Sequence, residues 1–271
     1  MPTAVINGVK INYQLSGEGP PIILLHGFTG SHQDWALQIP VLSNKYRVMA
    51  MDHRGHGKSE APSSPDDYSI SIFARDVYGL LRHLGISKTC IMGHSMGGFM
   101  ALELALEHPE MVTALVLVDT SSGEWEQDPE FEQIRAKLKE LARTEGMEAA
   151  FEYNAAHNAM IRERFEKYPE QREVSRQRML QTSVNGYIYG GDAIWSWKPV
   201  THRLSEIKVP ALIVVGEEDA PFLKASHIMK ESIADAEMVI IPGATHSPHE
   251  EAADAFNEVV VSFLDRLNLS A

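Results

Sequence analysis

Through the first 120 residues, short apolar runs bounded by turn residues alternate with longer amphipathic stretches. This is the pattern of a parallel sheet covered by helices. Lys10 to Leu15 alternates apolar with polar positions and predicts an antiparallel edge strand. Pro21 to Leu25, Tyr46 to Met51, Thr89 to Met92 and Leu115 to Val118 predict buried strands. Ile72, Phe73, Val77, Leu80, Leu81 and Leu84 recur at three- and four-residue spacings, which predicts a helix stopped by Gly85. The same reasoning gives a helix from about Met96 to His108, closed by Pro109.

After Asp119 the texture changes. From Gly123 to about Leu204 no β-branched run occurs, and helix formers dominate Phe131 to Arg143 and Met147 to Lys167. The expected organisation is a core of residues 1–122 and 205–271 interrupted by a helical cap over 123–204. Sheet character returns at Pro210 to Gly216 and at Met238 to Ile241, and Ala252 to Leu267 closes the chain as an amphipathic helix. The cap carries Trp125, Trp195 and Trp197 with Tyr153, Tyr168, Tyr187 and Tyr189. Any one of these rings would serve to pack the cap onto the body; collectively they should line something.

Composition narrows the function class. At 271 residues, 44% hydrophobic and 23% charged, the chain reads as one large globular core with an insertion. A net charge of −13 repels a phosphate backbone, so nucleic acid is not an expected partner. Cys90 is the sole cysteine, which excludes an intrachain disulfide and fits a reducing compartment. The amino-terminal residues lack the basic stretch, apolar core and cleavage site of a signal peptide, and no apolar run approaches the ~20 residues that span a bilayer. A cytoplasmic protein without a membrane partner is expected.

Gly93-His94-Ser95-Met96-Gly97 matches G-x-S-x-G between a predicted buried strand and a helix that begins at once. Glycines on both sides let the backbone take a tight turn that lifts the Ser95 hydroxyl above the sheet. A serine hydroxyl is a weak nucleophile until a base takes its proton. His246, on the loop after the last apolar run, is the candidate base, with His249 as the neighbouring rival. The base needs an acid to fix its tautomer. Asp219, after the preceding strand, is the candidate, with Glu217, Glu218 and Asp119 as alternatives. The oxyanion needs backbone N–H donors, expected from Met96 and from Phe28 in the loop after the first central strand. His26 at that strand end is expected to order the loop by hydrogen bonds. The histidines are scattered without His-Glu-x-x-His or Cys/His spacing, so neither a metal nor an organic cofactor is implied.

Together these residues resemble the α/β-hydrolase superfamily over nearly the whole chain. The marks are His26-Gly27-Phe28, Asp52 to Ser59, Gly93 to Gly98, Gly216 to Asp219 and Gly243 to His246. The resemblance implies a mostly parallel central sheet flanked by helices, with an inserted helical cap. It also implies that Asp52 and Arg54 are structural, in a turn that braces the nucleophile. Two positions depart from the usual pattern: Thr245 stands where a glycine commonly precedes the histidine, and Asp219 is followed directly by Ala220-Pro221-Phe222. Within the superfamily the chain is similar to the esterase and lactonase branch, including enol-lactonases and acyl-homoserine lactonases. Haloalkane dehalogenases and epoxide hydrolases resemble it but place aspartate where Ser95 stands.

The expected activity is hydrolysis of a small-molecule ester or lactone through an acyl-enzyme on Ser95. General carboxylesterases, carbon–carbon hydrolases or lyases, and receptor-like binders of the same fold are the rival classes. An apolar acyl portion is expected over a highly anionic substrate, because the net charge offers anions no general attraction.

Overall fold

The computed structural model describes residues 1–123, 129–267 and 269. One eight-stranded sheet forms the centre, built from β1 (Thr3–Ile6), β2 (Val9–Ser16), β3 (Pro21–Leu25), β4 (Arg47–Met51), β5 (Thr89–His94), β6 (Val112–Val118), β7 (Ala211–Gly216) and β8 (Ala236–Ile241). The order is β1-β2-β4-β3-β5-β6-β7-β8; the β1–β2 and β2–β4 pairs are antiparallel and every later pair is parallel. The antiparallel edge is β1, not the Lys10–Leu15 run, which lies one strand further in and pairs on both sides. Four residues with exposed Thr3 and Val5 make too short an alternation to stand out in the sequence.

The strands read correctly because both faces of the sheet are covered. Along β3, Ile23 and Leu25 enter one apolar cluster with Phe73, Val77 and Leu80 of α2 (Ile70–His83), while Ile22 and Leu24 enter another on the opposite face. That second cluster takes Phe256, Val260, Phe263 and Leu264 from the closing helix Ala253–Leu267. Side chains alternate between faces at every residue, so a strand buried on both sides is apolar throughout.

Among the described residues, five α-helices run between β6 and β7, α4 (Pro129–Thr144), α5 (Met147–His157), α6 (Ala159–Lys167), α7 (Glu170–Gln181) and α8 (Val184–Ser196), followed by a short 3-10 helix (Thr201–Glu206). The Met147–Lys167 stretch is two helices rather than one. Asn158 leaves helical geometry with ψ of 112° and caps α6 through its side chain, accepting from the Ile161 N–H. α8 is anchored to the core where Ser183 donates through both its backbone N–H and its hydroxyl to the Gly55 carbonyl. Trp125 lies outside the described residues. No helix among those described is long and apolar enough to cross a membrane.

Candidate functional site

Ser95 sits between β5 and α3 (Met96–Glu107) with φ of 50° and ψ of −115°. That conformation costs a non-glycine residue about 1–3 kcal/mol and persists only where the surroundings fix it. Here the Ser95 N–H donates to the Val118 carbonyl at 2.9 Å and the Ser95 carbonyl accepts the Thr120 hydroxyl at 2.8 Å. Gly97 is required by close approach: a side chain there would collide with the Leu25 carbonyl at the end of β3. Met96 opens α3, so its N–H belongs to the first turn that the helix cannot pair internally.

The loop after β3 meets this turn directly. A Cβ on Gly27 would stand 2.7 Å from His94 Nδ1 and 3.4 Å from Ser95 Cβ, so the Gly27–Phe28 backbone passes beside Ser95. A turn closed by Gly30 N–H on Gly27 O at 3.1 Å places Phe28 next to Gly27 at the cavity wall. As expected, His26 orders this loop. Its Nδ1–H donates to Gly27 O at 2.7 Å, and its Nε2 accepts the His53 N–H at 3.1 Å. Asp52 and Arg54 are structural. Asp52 accepts from Asn12, His32 and Lys58, and Arg54 forms a two-point bond with buried Asp76 at 2.6 and 2.8 Å.

His246 lies on the loop after β8, and its Nδ1–H donates to Asp219 Oδ2 at 2.6 Å. This tautomer leaves Nε2 as the acceptor. Ser95 and His246 line the same cavity. Asp219 is the N-cap residue of α9 (Ala220–Ser232), which explains the short spacing: the helix starts at once and brings the Phe222 ring to 4.7 Å from the His246 ring. Thr245 also has a use, because its N–H and hydroxyl both donate to Glu251, at 2.6 and 2.7 Å.

Of the rival residues, His249, Glu217 and Glu218 are placed elsewhere. His249 is buried against Trp35 and His94, with ring centroids 4.7 and 4.6 Å away, and burial pushes it down to about 4. Glu217 accepts the Gly243 N–H at 2.8 Å, and Glu218 pairs with Lys167 at 2.5 Å. Asp119, at the end of β6, comes beside Asp219 and His246: a ligand atom of each lies within 4.8 Å of the other two. This is the one group among the described residues with a metal-like spacing of donors; within it His246 Nδ1 is bonded to Asp219, and Asp119 accepts the Gly216 N–H.

The cavity above Ser95 measures about 1030 Å³. Phe131, Phe151, Phe165, Tyr187 and Trp195 of the inserted helices line it. The other described aromatics between β6 and β7 pack: Trp197 stacks on Phe99 at 4.8 Å, Tyr153 on His157 at 4.0 Å, Tyr168 bonds Gly243 O, and Tyr189 joins Tyr68. Charge is distributed differently from the whole chain. Arg135, Lys139, Arg164, Arg178 and Lys224 line the cavity, against Asp34 as the one acidic lining residue among those described. Arg135, Lys139 and Arg164 are paired with acids outside that lining, Glu132, Asp192 and Glu251. Arg178 pairs with Asp34 at 3.1 Å and also with Glu250, while burial raises Asp34 to about 7. Arg135 lies 4.4 Å over the Trp195 ring.

His94 is a site residue that sequence reasoning missed. It lies inside the G-x-S-x-G match, yet its partner, the His246 carbonyl, is 152 residues away.

A family model described as the alpha/beta hydrolase fold matches residues 20–253. The chain belongs to this family. Among solved structures, this alpha/beta hydrolase is similar to the enol-lactonase from Burkholderia xenovorans LB400, with TM-score 0.86 and 31% identity over 97% of this chain and 100% of that one. It is also similar to Est816, described as an N-acyl homoserine lactone degrading enzyme, with TM-score 0.80 and 27% identity over 97% and 100% of the two chains. A putative 2-succinyl-6-hydroxy-2,4-cyclohexadiene-1-carboxylate synthase of Bacillus subtilis is 29% identical over 96% of both chains.

Proposed function

We propose that this alpha/beta hydrolase cleaves a carboxylic ester or lactone through Ser95, His246 and Asp219. The observation that carries the reading is the strained turn that presents Ser95 to the same cavity as a histidine held on Asp219 at 2.6 Å. In the proposed sequence, His246 Nε2 takes the Ser95 proton as Oγ attacks the substrate carbonyl. Asp219 keeps Nδ1 protonated and balances the imidazolium. The N–H groups of Met96 and Phe28 receive the oxyanion, whose charge they stabilise because they are fixed before the reaction begins. His246 then returns its proton to the leaving oxygen, and a water it deprotonates releases the acid from Ser95.

For the substrate, we propose an ester or lactone with an apolar acyl portion, including N-acyl-homoserine lactones. The aromatic lining and the Asp219–Phe222 stretch support this, as does the likeness to Est816 and to the enol-lactonase. The test is a panel of p-nitrophenyl esters, acyl-homoserine lactones of increasing chain length and enol-lactones, followed by chromophore or proton release. Lactone opening that depends on Ser95 supports the full reading. Brisk ester cleavage without lactone opening reduces it to a general carboxylesterase, and carbon–carbon bond chemistry without ester turnover overturns it.

A further inference from the structure

The end of β6 holds a second carboxyl group that the mechanism above does not use. Asp119 is fully buried and adopts φ of 39°, a left-handed conformation unusual for a residue with a side chain. Its Oδ1 accepts the Gly216 N–H at 2.9 Å, and its Oδ2 has no donor. Asp219 offers Oδ2 to His246 and likewise leaves a buried Oδ1 without a donor. A carboxyl oxygen of each lies within 4.8 Å of one on the other. Two buried carboxylates that close cannot both remain ionised, because each raises the cost of charge on the other; a single shared proton replaces repulsion by a hydrogen bond.

The other bonds decide which of the two carries that proton. Asp219 receives the Nδ1–H of a ring that becomes cationic during the reaction, so negative charge is favoured there. Asp119 receives a neutral backbone N–H. Burial and the charge of Asp219 push Asp119 well above the ordinary carboxylate range, with Glu251 adding a further negative charge and the Gly216 N–H opposing.

We infer that Asp119 is a carboxylic acid that donates its proton in a hydrogen bond to Asp219 Oδ1 and so acts as a positioning residue for the Asp219–His246 pair. Its role is to hold the plane of the Asp219 carboxylate while adding no second negative charge beside His246. The inference rests on the proposed Ser95–His246–Asp219 reading.

The experiment compares wild type, Asp119→Asn and Asp119→Ala. It measures the pH profile of kcat/KM on p-nitrophenyl butyrate and, independently of turnover, the titration of the His246 ring by NMR, assigned with His246→Gln. Asp119→Ala should lower kcat about ten- to a hundredfold with little change in KM, as expected for misplaced catalytic geometry. Asp119→Asn, whose amide donates from the same place, should restore kcat and keep both pH midpoints at their wild-type positions. A fall of both midpoints by about 1–3 units in Asp119→Asn would show that a negative charge had been removed, and would overturn the inference. Wild-type kcat in Asp119→Ala would overturn it as well. Absence of ester turnover in the wild type defeats the functional reading alone, since the ring titration still reports the charge on Asp119.

Discussion

The ring Nε2–H of His94 donates to the backbone carbonyl of His246 over 2.7 Å, tying the residue before Ser95 to the residue proposed to take its proton. The other side of the same ring faces Gly27, beside the proposed oxyanion donor Phe28. Three segments distant in sequence therefore share one buried imidazole, which desolvation and the neighbouring His249 and His246 keep well below the usual histidine range.

Replacing His94 by Ala should lower kcat by about ten- to a hundredfold while KM changes little, because the His246 loop loses its tether and not its contact with substrate. Gln at 94 can still donate and should recover part of the loss. A steady-state comparison of the two variants checks this; equal activity in wild type and His94→Ala would contradict it.

Asp219→Asn should impair kcat by about 10³–10⁴-fold, far more than it changes KM. Glu217→Gln and Glu218→Gln should be much milder. Their carboxylates hold the Gly243 N–H and Lys167, both away from the His246 ring nitrogens. The ranking of kcat among the three variants is the measurement.

How far the sequence alone reaches can be seen residue by residue. The strands from β3 to β7 were readable because burial on both faces makes them almost wholly apolar, whereas β1 was not, its four residues half exposed. The break at Asn158 was hidden because one capping side chain, not a loss of helix formers, ends α5 and starts α6. Ser95, His246 and Asp219 stood out because each follows a strand in a recognisable local setting. His94, Asp119 and the Thr245–Glu251 pair work through partners brought near only by folding, which spacing does not reveal. The basic side chains in the cavity lining were invisible for a similar reason: a net charge of −13 averages over surfaces that never face the cavity.

Acid should destabilise the fold through its buried histidines. Burial lowers His53 to about 3, and His56 and His249 to about 4, against 6.5 for the free side chain, and it depresses His26 and His94 as well. Above pH 6.5 neither state takes up these protons. Below it the unfolded chain binds protons that the folded one refuses, so stability falls as pH drops toward the folded-state values, by up to about 1.4 kcal/mol per pH unit for each histidine. Asp34, raised to about 7, and Asp119 act in the opposite sense, since the folded state holds their protons. His249→Phe should therefore lose less stability than wild type between pH 7.5 and 5, measured by urea unfolding. An identical loss in both proteins would contradict this.

The apolar lining predicts a chain-length series. Each buried methylene contributes ~0.8 kcal/mol, so kcat/KM for p-nitrophenyl esters should climb by up to about fourfold per carbon until the cavity is filled. Trp195→Ala, which removes one lining ring, should weaken the longer esters more than acetate. A series that is flat from acetate upward would exclude this wall as the acyl site.

The most direct test of the account is covalent labelling of Ser95. Intact-mass and peptide analysis after treatment with a fluorophosphonate should show one adduct, located on Ser95, with ester turnover lost in step with labelling. Ser95→Ala should remain folded and take no label. An adduct elsewhere, or undiminished ester hydrolysis by Ser95→Ala, would contradict the central claim that this strained serine is the nucleophile.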